Sequence, residues 1–216
     1  MTEIDGVNFY SPVEERLNIG SHIIGLILSV VGLVMLLIRA ATQGGVPEVF
    51  SASVFGASLV ALYGASTAYH RAVDPAMRKK LRVVDHAIIY ILIAGTYTPF
   101  TLITLNGPVG WTIFGVSWLM AAIGITLKLF FTGRFHVLST LMYILMGWMI
   151  MFAVKPLAHN LSTEGLFWLI AGGLFYTVGA VIYSIKMIPF NHAIFHLFVL
   201  AGSICHFISV YSYVLI

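Results

Sequence analysis

Long apolar runs separated by short polar stretches repeat along this chain. Seven of them reach the roughly 20 residues that a helix needs to cross a bilayer. Their limits are about Ile19–Ile38, Val49–Tyr69, Val83–Leu105, Trp111–Phe130, Val137–Val154, Leu166–Ile185 and Ala193–Val214. The polar positions inside these runs lack the alternation of a membrane β-barrel, and lipid leaves the backbone no other way to satisfy itself than a helix. The pattern predicts an all-α polytopic membrane protein, with a short polar segment over 1–18 and one seven-helix domain over 19–216. A cleavable leader is not expected, because no small-residue cleavage site follows the first apolar run.

Small residues at helical spacing suggest where the spans touch. Ser21, Gly25 and Ser29 step by four, as do Ala57, Ala61 and Ala65, so spans one and two are expected to pack closely. The cluster Ala171, Gly172, Gly173, Gly179 and Ala180 in span six reads as packing too. Pro99 is expected to distort span three, with neighbouring threonine hydroxyls able to satisfy carbonyls it frees.

Composition agrees with this reading. Hydrophobic residues make up 60% of 216 positions and charged residues 9%, against about a quarter charged in a soluble domain. The lone Cys205 lies inside a span, which excludes a disulfide framework or a cysteine metal site. Basic residues are distributed unevenly. Arg16, Arg71, Arg78, Lys79, Lys80, Arg82, Lys128, Arg134 and Lys186 fall on one side of the seven spans, and only Arg39 and Lys155 on the other. The positive-inside rule then predicts a cytoplasmic N-terminus and an outside C-terminus. The basic stretch from Arg71 to Arg82 reads as a topology signal that meets anionic headgroups, with no nucleic acid as partner.

With that topology, polar residues from separate spans share one depth. His192 and His196 open span seven, four residues apart and therefore on one helix face about 6 Å apart along the axis. Such a pair is either two interfacial histidines bonded to water or backbone, or two nitrogens for one metal ion. His70 ends span two, Asp85 and His86 begin span three, and Asn18 and His22 begin span one, all at the cytoplasmic face. Neutral imidazoles at His70, His192 and His196 would give Zn2+ three nitrogens and leave one open position, where the pKa of water falls to about 7. Asp85 suits a carboxylate that holds such a water or takes its proton, rather than a further ligand. Ser66 lies one turn above His70 and either bonds the water or a substrate oxygen, or bonds its own backbone; the spacing leaves both open. Asn18 and His22 are candidates for lining the site, and His86 for an interfacial role. His206, about 15 Å deeper by helical rise, would line a cavity or bond a neighbouring helix. His136 and His159 read as surface residues.

These elements (Glu15-x-x-Asn18-x-x-x-His22, Ser66-x-x-x-His70, Asp85 opening span three, His192-x-x-x-His196 opening span seven) resemble the hemolysin III family, within the superfamily of progestin and adipoQ receptors. The resemblance is to a bacterial member, which implies a multi-pass protein of the bacterial inner (plasma) membrane, and runs from about Glu14 to the end of the chain. It implies zinc on His70, His192 and His196, with Asp85 and Ser66 close to the zinc water. It also implies kinship with metal-dependent lipid amide hydrolases such as the alkaline ceramidases. The stretch before span one is short beside that of the animal receptors, so signalling through adaptor proteins is not expected.

Two function classes fit. One is a zinc hydrolase acting on a lipid amide or ester, with membrane lipid as substrate and Asp85 and Ser66 as catalytic groups. The other is a non-enzymatic regulator of membrane lipid or energetics that binds lipid, with zinc structural. Membrane permeabilisation, which the family name suggests, and transport fit poorly: the spans carry few charges, and only His206 stands near the midplane. The oligomeric state is not legible from these residues.

Overall fold

A computed structural model describes residues 2–4, 7–131 and 136–216, with side chains over 9–130 and 139–216. Arg134, expected on the cytoplasmic side, and the side chain of His136, expected at the surface, lie outside the described residues. Among the described residues seven helical spans are long and apolar enough to cross a membrane. Two short antiparallel strands, β1 (Thr2–Ile4) and β2 (Val7–Phe9), precede them.

Helix α1 (Pro12–Gln43) begins where the Ser11 hydroxyl accepts from the Glu14 N–H at 3.3 Å, with Pro12 in the first turn. It therefore starts ahead of the expected Ile19, and Glu14, Glu15 and Asn18 belong to its first turns. Helices α2 (Val46–Arg71) and α3 (Pro75–Pro99) follow, the second capped by Asp74, which accepts from the Met77 N–H at 2.7 Å. Past Pro99 the chain continues as a π-helical stretch, Phe100–Leu105. The hydroxyls of Thr96, Thr98 and Thr101 donate to the carbonyls of Leu92, Ala94 and Tyr97 at 2.8, 3.0 and 2.9 Å. The expected distortion thus takes the form of a change of helix type, with threonines closing on the backbone around it.

Helix α4 (Pro108–Phe131) is followed by a fifth span that is broken: α5 (His136–Gly147), a 3-10 stretch Met149–Ala153, and α6 (Val154–Asn160). The Tyr97 hydroxyl accounts for how lipid tolerates the break. It reaches the Met146 and Gly147 carbonyls at 2.9 and 2.8 Å and accepts from the Ile150 N–H at 2.9 Å, so backbone groups freed from the helix find a partner inside the protein. Helices α7 (Thr163–Ser184) and α8 (Asn191–Ser209, running on as π-helix to Val214) complete the bundle. At its far end Arg39 of α1 donates to the Leu215 carbonyl and stacks on Tyr211 at 4.8 Å.

Small residues do set the close approaches, though not always the expected ones. A Cβ on Gly25 would lie 2.4 Å from the Tyr63 ring, and one on Gly56 would lie 3.1 Å from the Leu33 Cα. Ser29 is buried beside Gly25 on the inner face of α1. The alanine stripe on α2 is a correction: Ala57 is exposed and Ala61 and Ala65 are only partly covered, because Tyr63 and Gly56 turn a different face toward α1. In α7, Gly172 and Gly179 admit His206 and Phe198 of α8, where an added Cβ would stand 2.1 and 2.8 Å away. The basic stretch divides as well. Arg71, Lys79 and Lys80 are exposed, whereas Arg78 at 1% and Arg82 at 8% exposure turn inward and do not face headgroups.

Candidate metal centre

The end of the bundle that carries the N-terminus gathers buried polar residues of three helices. His70 sits in the last turn of α2, His192 and His196 in the first turns of α8, Asn18 and His22 in those of α1, and all five are buried. The entry to α8 is unusually held. Phe190 adopts a left-handed conformation, φ 57°, and the Asn191 amide donates to the Tyr183 carbonyl at 2.9 Å. A bulky residue at positive φ persists only where its surroundings impose it, and here the bend aims His192 directly into the bundle.

One nitrogen from each of His70, His192 and His196 lies within 4.8 Å of the other two. The Nε2 atoms of His70 and His192 are 3.0 Å apart. Ligands at about 2.0–2.1 Å around a tetrahedral zinc stand roughly 3.3 Å from one another, so the spacing has the right scale for one shared ion. Two of the outer nitrogens are engaged in a way that suits this. His70 Nδ1 is 2.8 Å from Glu15 Oε2, and His196 Nδ1 is 3.4 Å from the Asn18 carbonyl. A carboxylate and a carbonyl only accept, so each ring carries its proton on Nδ1 and turns a bare Nε2 inward. Three imidazole nitrogens, two of them in the ligand tautomer, can hold a metal ion.

A cavity of about 180 Å³ opens against this cluster, reached by His22, Ser66, Asp85, His192 and His196 and running down to His206. Its middle is apolar, between Ile89, Ile93, Phe195 and Val199, and a second cavity of about 90 Å³ adjoins it at Tyr97, Trp148 and His206. Asp85 and Ser66 therefore face the same space as two of the three histidines. The Ser66 hydroxyl is buried and bonds no backbone carbonyl, unlike the inward-facing Ser29 and Ser58, which bond Leu26 and Phe55. His22 stacks on His196, centroids 3.6 Å apart and planes 14° apart. His86, expected at the interface, lines the cavity instead. His206 fulfils both of its expected roles, since it lines the cavity and its Nε2 lies 3.1 Å from the Leu169 carbonyl. His159 is exposed at the end of α6.

Three contributors were not anticipated. Glu15 accepts from His70 and also pairs with Arg78. Arg78 stacks between Phe9 and Tyr69, 4.5 and 4.7 Å from their rings. Tyr10 covers the cluster from outside, stacked on His192 at 4.6 Å. Burial holds the Tyr10 phenol well above its ordinary pKa, so it meets the cluster as a neutral ring. The signal for Glu15 was its place at the head of the Glu15–Asn18–His22 pattern, one turn from Asn18. Nothing in the spacing marked Arg78 apart from its exposed neighbours.

An integral membrane bundle with a metal-capable histidine cluster at one end is the class these observations define. The chain belongs to the family described as Haemolysin-III related, whose model matches residues 10–207. It is 48% identical to Hemolysin-3 of Bacillus cereus over 94% of this chain and 92% of that one. Identity to the Hemolysin-3 homolog of Bacillus subtilis (strain 168) is 45%, covering 93% of this chain and 94% of the relative. Similarity extends to the human Monocyte to macrophage differentiation factor, at 32% identity over 77% of this chain and 71% of that protein.

Proposed function

We propose that this protein is a zinc-dependent hydrolase of the inner membrane that cleaves a lipid amide or ester at the cytoplasmic end of the bundle. The observation that carries the reading is the meeting of the histidine cluster, Asp85 and Ser66 at one end of a cavity whose middle is apolar. His70, His192 and His196 would hold the ion. When bound, zinc supplies a Lewis acid that polarises a carbonyl and lowers the pKa of water. The remaining chemistry falls to the chain itself. Ile89, Ile93, Phe195 and Val199 hold an acyl chain and exclude water. The Ser66 hydroxyl, free of its own backbone, orients the carbonyl. Asp85 takes a proton from the attacking water and returns it to the leaving amine or alcohol. The N-terminus and the exposed Arg71, Lys79 and Lys80 lie on the cytoplasmic side, and membrane lipid is the partner, with no nucleic acid involved.

The test is fatty-acid release by the purified protein from a panel of ceramides, other amides and esters. Asp85→Asn is expected to lower turnover by about 10²–10⁴-fold, the range for a lost general acid–base group, while the bound metal is unchanged. Inert wild type across the whole panel, or an Asp85→Asn protein as active as wild type, would overturn the reading.

A further inference from the structure

His70 differs from the other two metal-capable histidines in its position. It sits in the last turn of α2, where a helix has spent its backbone hydrogen bonds and frays. A ligand there needs outside support, and one ion pair supplies it at both ends of the residue. Glu15 Oε2 accepts from the ring Nδ1 at 2.8 Å. Glu15 Oε1 pairs with the Arg78 guanidinium. The same guanidinium donates to the carbonyl of His70 at 3.2 Å, and to those of Tyr69 and Ala72 at 3.4 and 3.1 Å, three acceptors at the end of α2. The contacts tie α1, α2 and α3 together around one imidazole.

We propose that Glu15 and Arg78 are positioning residues for the metal centre. Glu15 keeps the His70 ring turned with Nε2 bare, and Arg78 holds Glu15 and the His70 backbone in one frame, so that the pair sets the affinity of the site for its ion. The inference rests on the reading that His70, His192 and His196 bind that ion. Charge and geometry favour it. A carboxylate that accepts from Nδ1–H makes the His70 ring a stronger donor at Nε2 without occupying the open position that a substrate needs. Because Arg78 engages the second oxygen, Glu15 is held outside the cluster and does not become a ligand itself. Arginine suits this place, since its planar fork reaches a carboxylate and several carbonyls at once and a lysine ammonium does not.

The experiment measures zinc affinity by competition with a chelating dye, on purified wild type, Glu15→Gln, Glu15→Ala and Arg78→Lys. Glu15→Ala is expected to bind about 10–100-fold more weakly, the usual cost of losing a carboxylate behind a metal-bound histidine. Glu15→Gln should fall between, because its amide oxygen still accepts from Nδ1–H but carries no charge. Arg78→Lys should weaken binding too. A second readout needs no metal: nitrogen-15 spectra of labelled histidines should show the His70 proton on Nδ1 in wild type and lose that preference in Glu15→Ala. Wild-type affinity together with an unchanged His70 tautomer in Glu15→Ala would overturn the proposal. Zinc that fails to bind wild type at all would instead overturn the three-histidine reading, and the tautomer would then decide the role of Glu15 alone.

Discussion

Helix α8 carries three buried histidines in two settings. His192 and His196, at its first turns, aim nitrogens at His70 and at open space, within 4.8 Å of one another as a group. His206, near its other end, is as well buried and lines the same cavity, yet its Nε2 is taken by the Leu169 carbonyl at 3.1 Å. A carbonyl fixes the proton of His206 on the nitrogen nearest it, and no other imidazole shares that bond. In the cluster Glu15 and the Asn18 carbonyl take Nδ1 of His70 and of His196 and leave the inner nitrogens of those two rings bare. Burial of a histidine inside a membrane therefore says little about its work. Which nitrogen the protein engages, and where the other one points, says much more.

Metal content breaks or upholds this contrast most directly. His196→Ala or His192→Ala is expected to take purified protein from about one ion per chain to near none, since two imidazoles seldom hold zinc against competing chelators. His206→Ala should retain the wild-type content. Elemental analysis of the three variants decides it. Equal loss in all three, or full retention in His196→Ala, would erase the distinction between the two ends of α8.

A smaller effect tests the structural half of the comparison. His206 fits because Gly172 of α7 has no side chain, and a Cβ there would meet the His206 ring at 2.1 Å. Gly172→Ala should cost about 1–3 kcal/mol, the range for overpacking a well-filled interior. It should show as a lower unfolding midpoint in detergent with metal content unchanged. A midpoint at the wild-type value would mean that the ring has room to move aside, and that His206 is less tightly fixed than its bond to Leu169 suggests.

The seven spans were legible because hydropathy over twenty residues averages out every local detail. The break in the fifth span was not, because it depends on the Tyr97 hydroxyl arriving from α3, a tertiary event with no local trace. The three histidines, Asp85 and Ser66 could be brought to one depth by counting spans and charges. Glu15 could not be assigned its role, since a charged residue before an apolar run reads as part of a solvated tail. Only the cap at Ser11 pulls it into α1 and turns it inward. Arg78 was obscured by its neighbours: Lys79 and Lys80 are exposed, and one basic stretch gives no hint that a single member faces the core.

The smallest expected effect concerns which face of α2 meets α1. Stripes of small residues mark close helix approach in membranes, and Ala57, Ala61 and Ala65 form such a stripe. Ala57 is nevertheless exposed, whereas the adjacent Gly56 lies against Leu33, whose Cδ1 would stand 2.5 Å from an added Cβ. Neighbouring positions on one helix should therefore respond in opposite ways. Ala57→Leu adds a side chain that lipid accepts, and its effect on the unfolding midpoint should stay within about 0.5 kcal/mol. Gly56→Ala adds one carbon against a packed partner and should cost about 1–3 kcal/mol. The reverse order would mean that the alanine stripe contacts a surface absent from the single chain, and a cross-linking series from Ala57, Ala61 and Ala65 would then show whether that surface is a second copy.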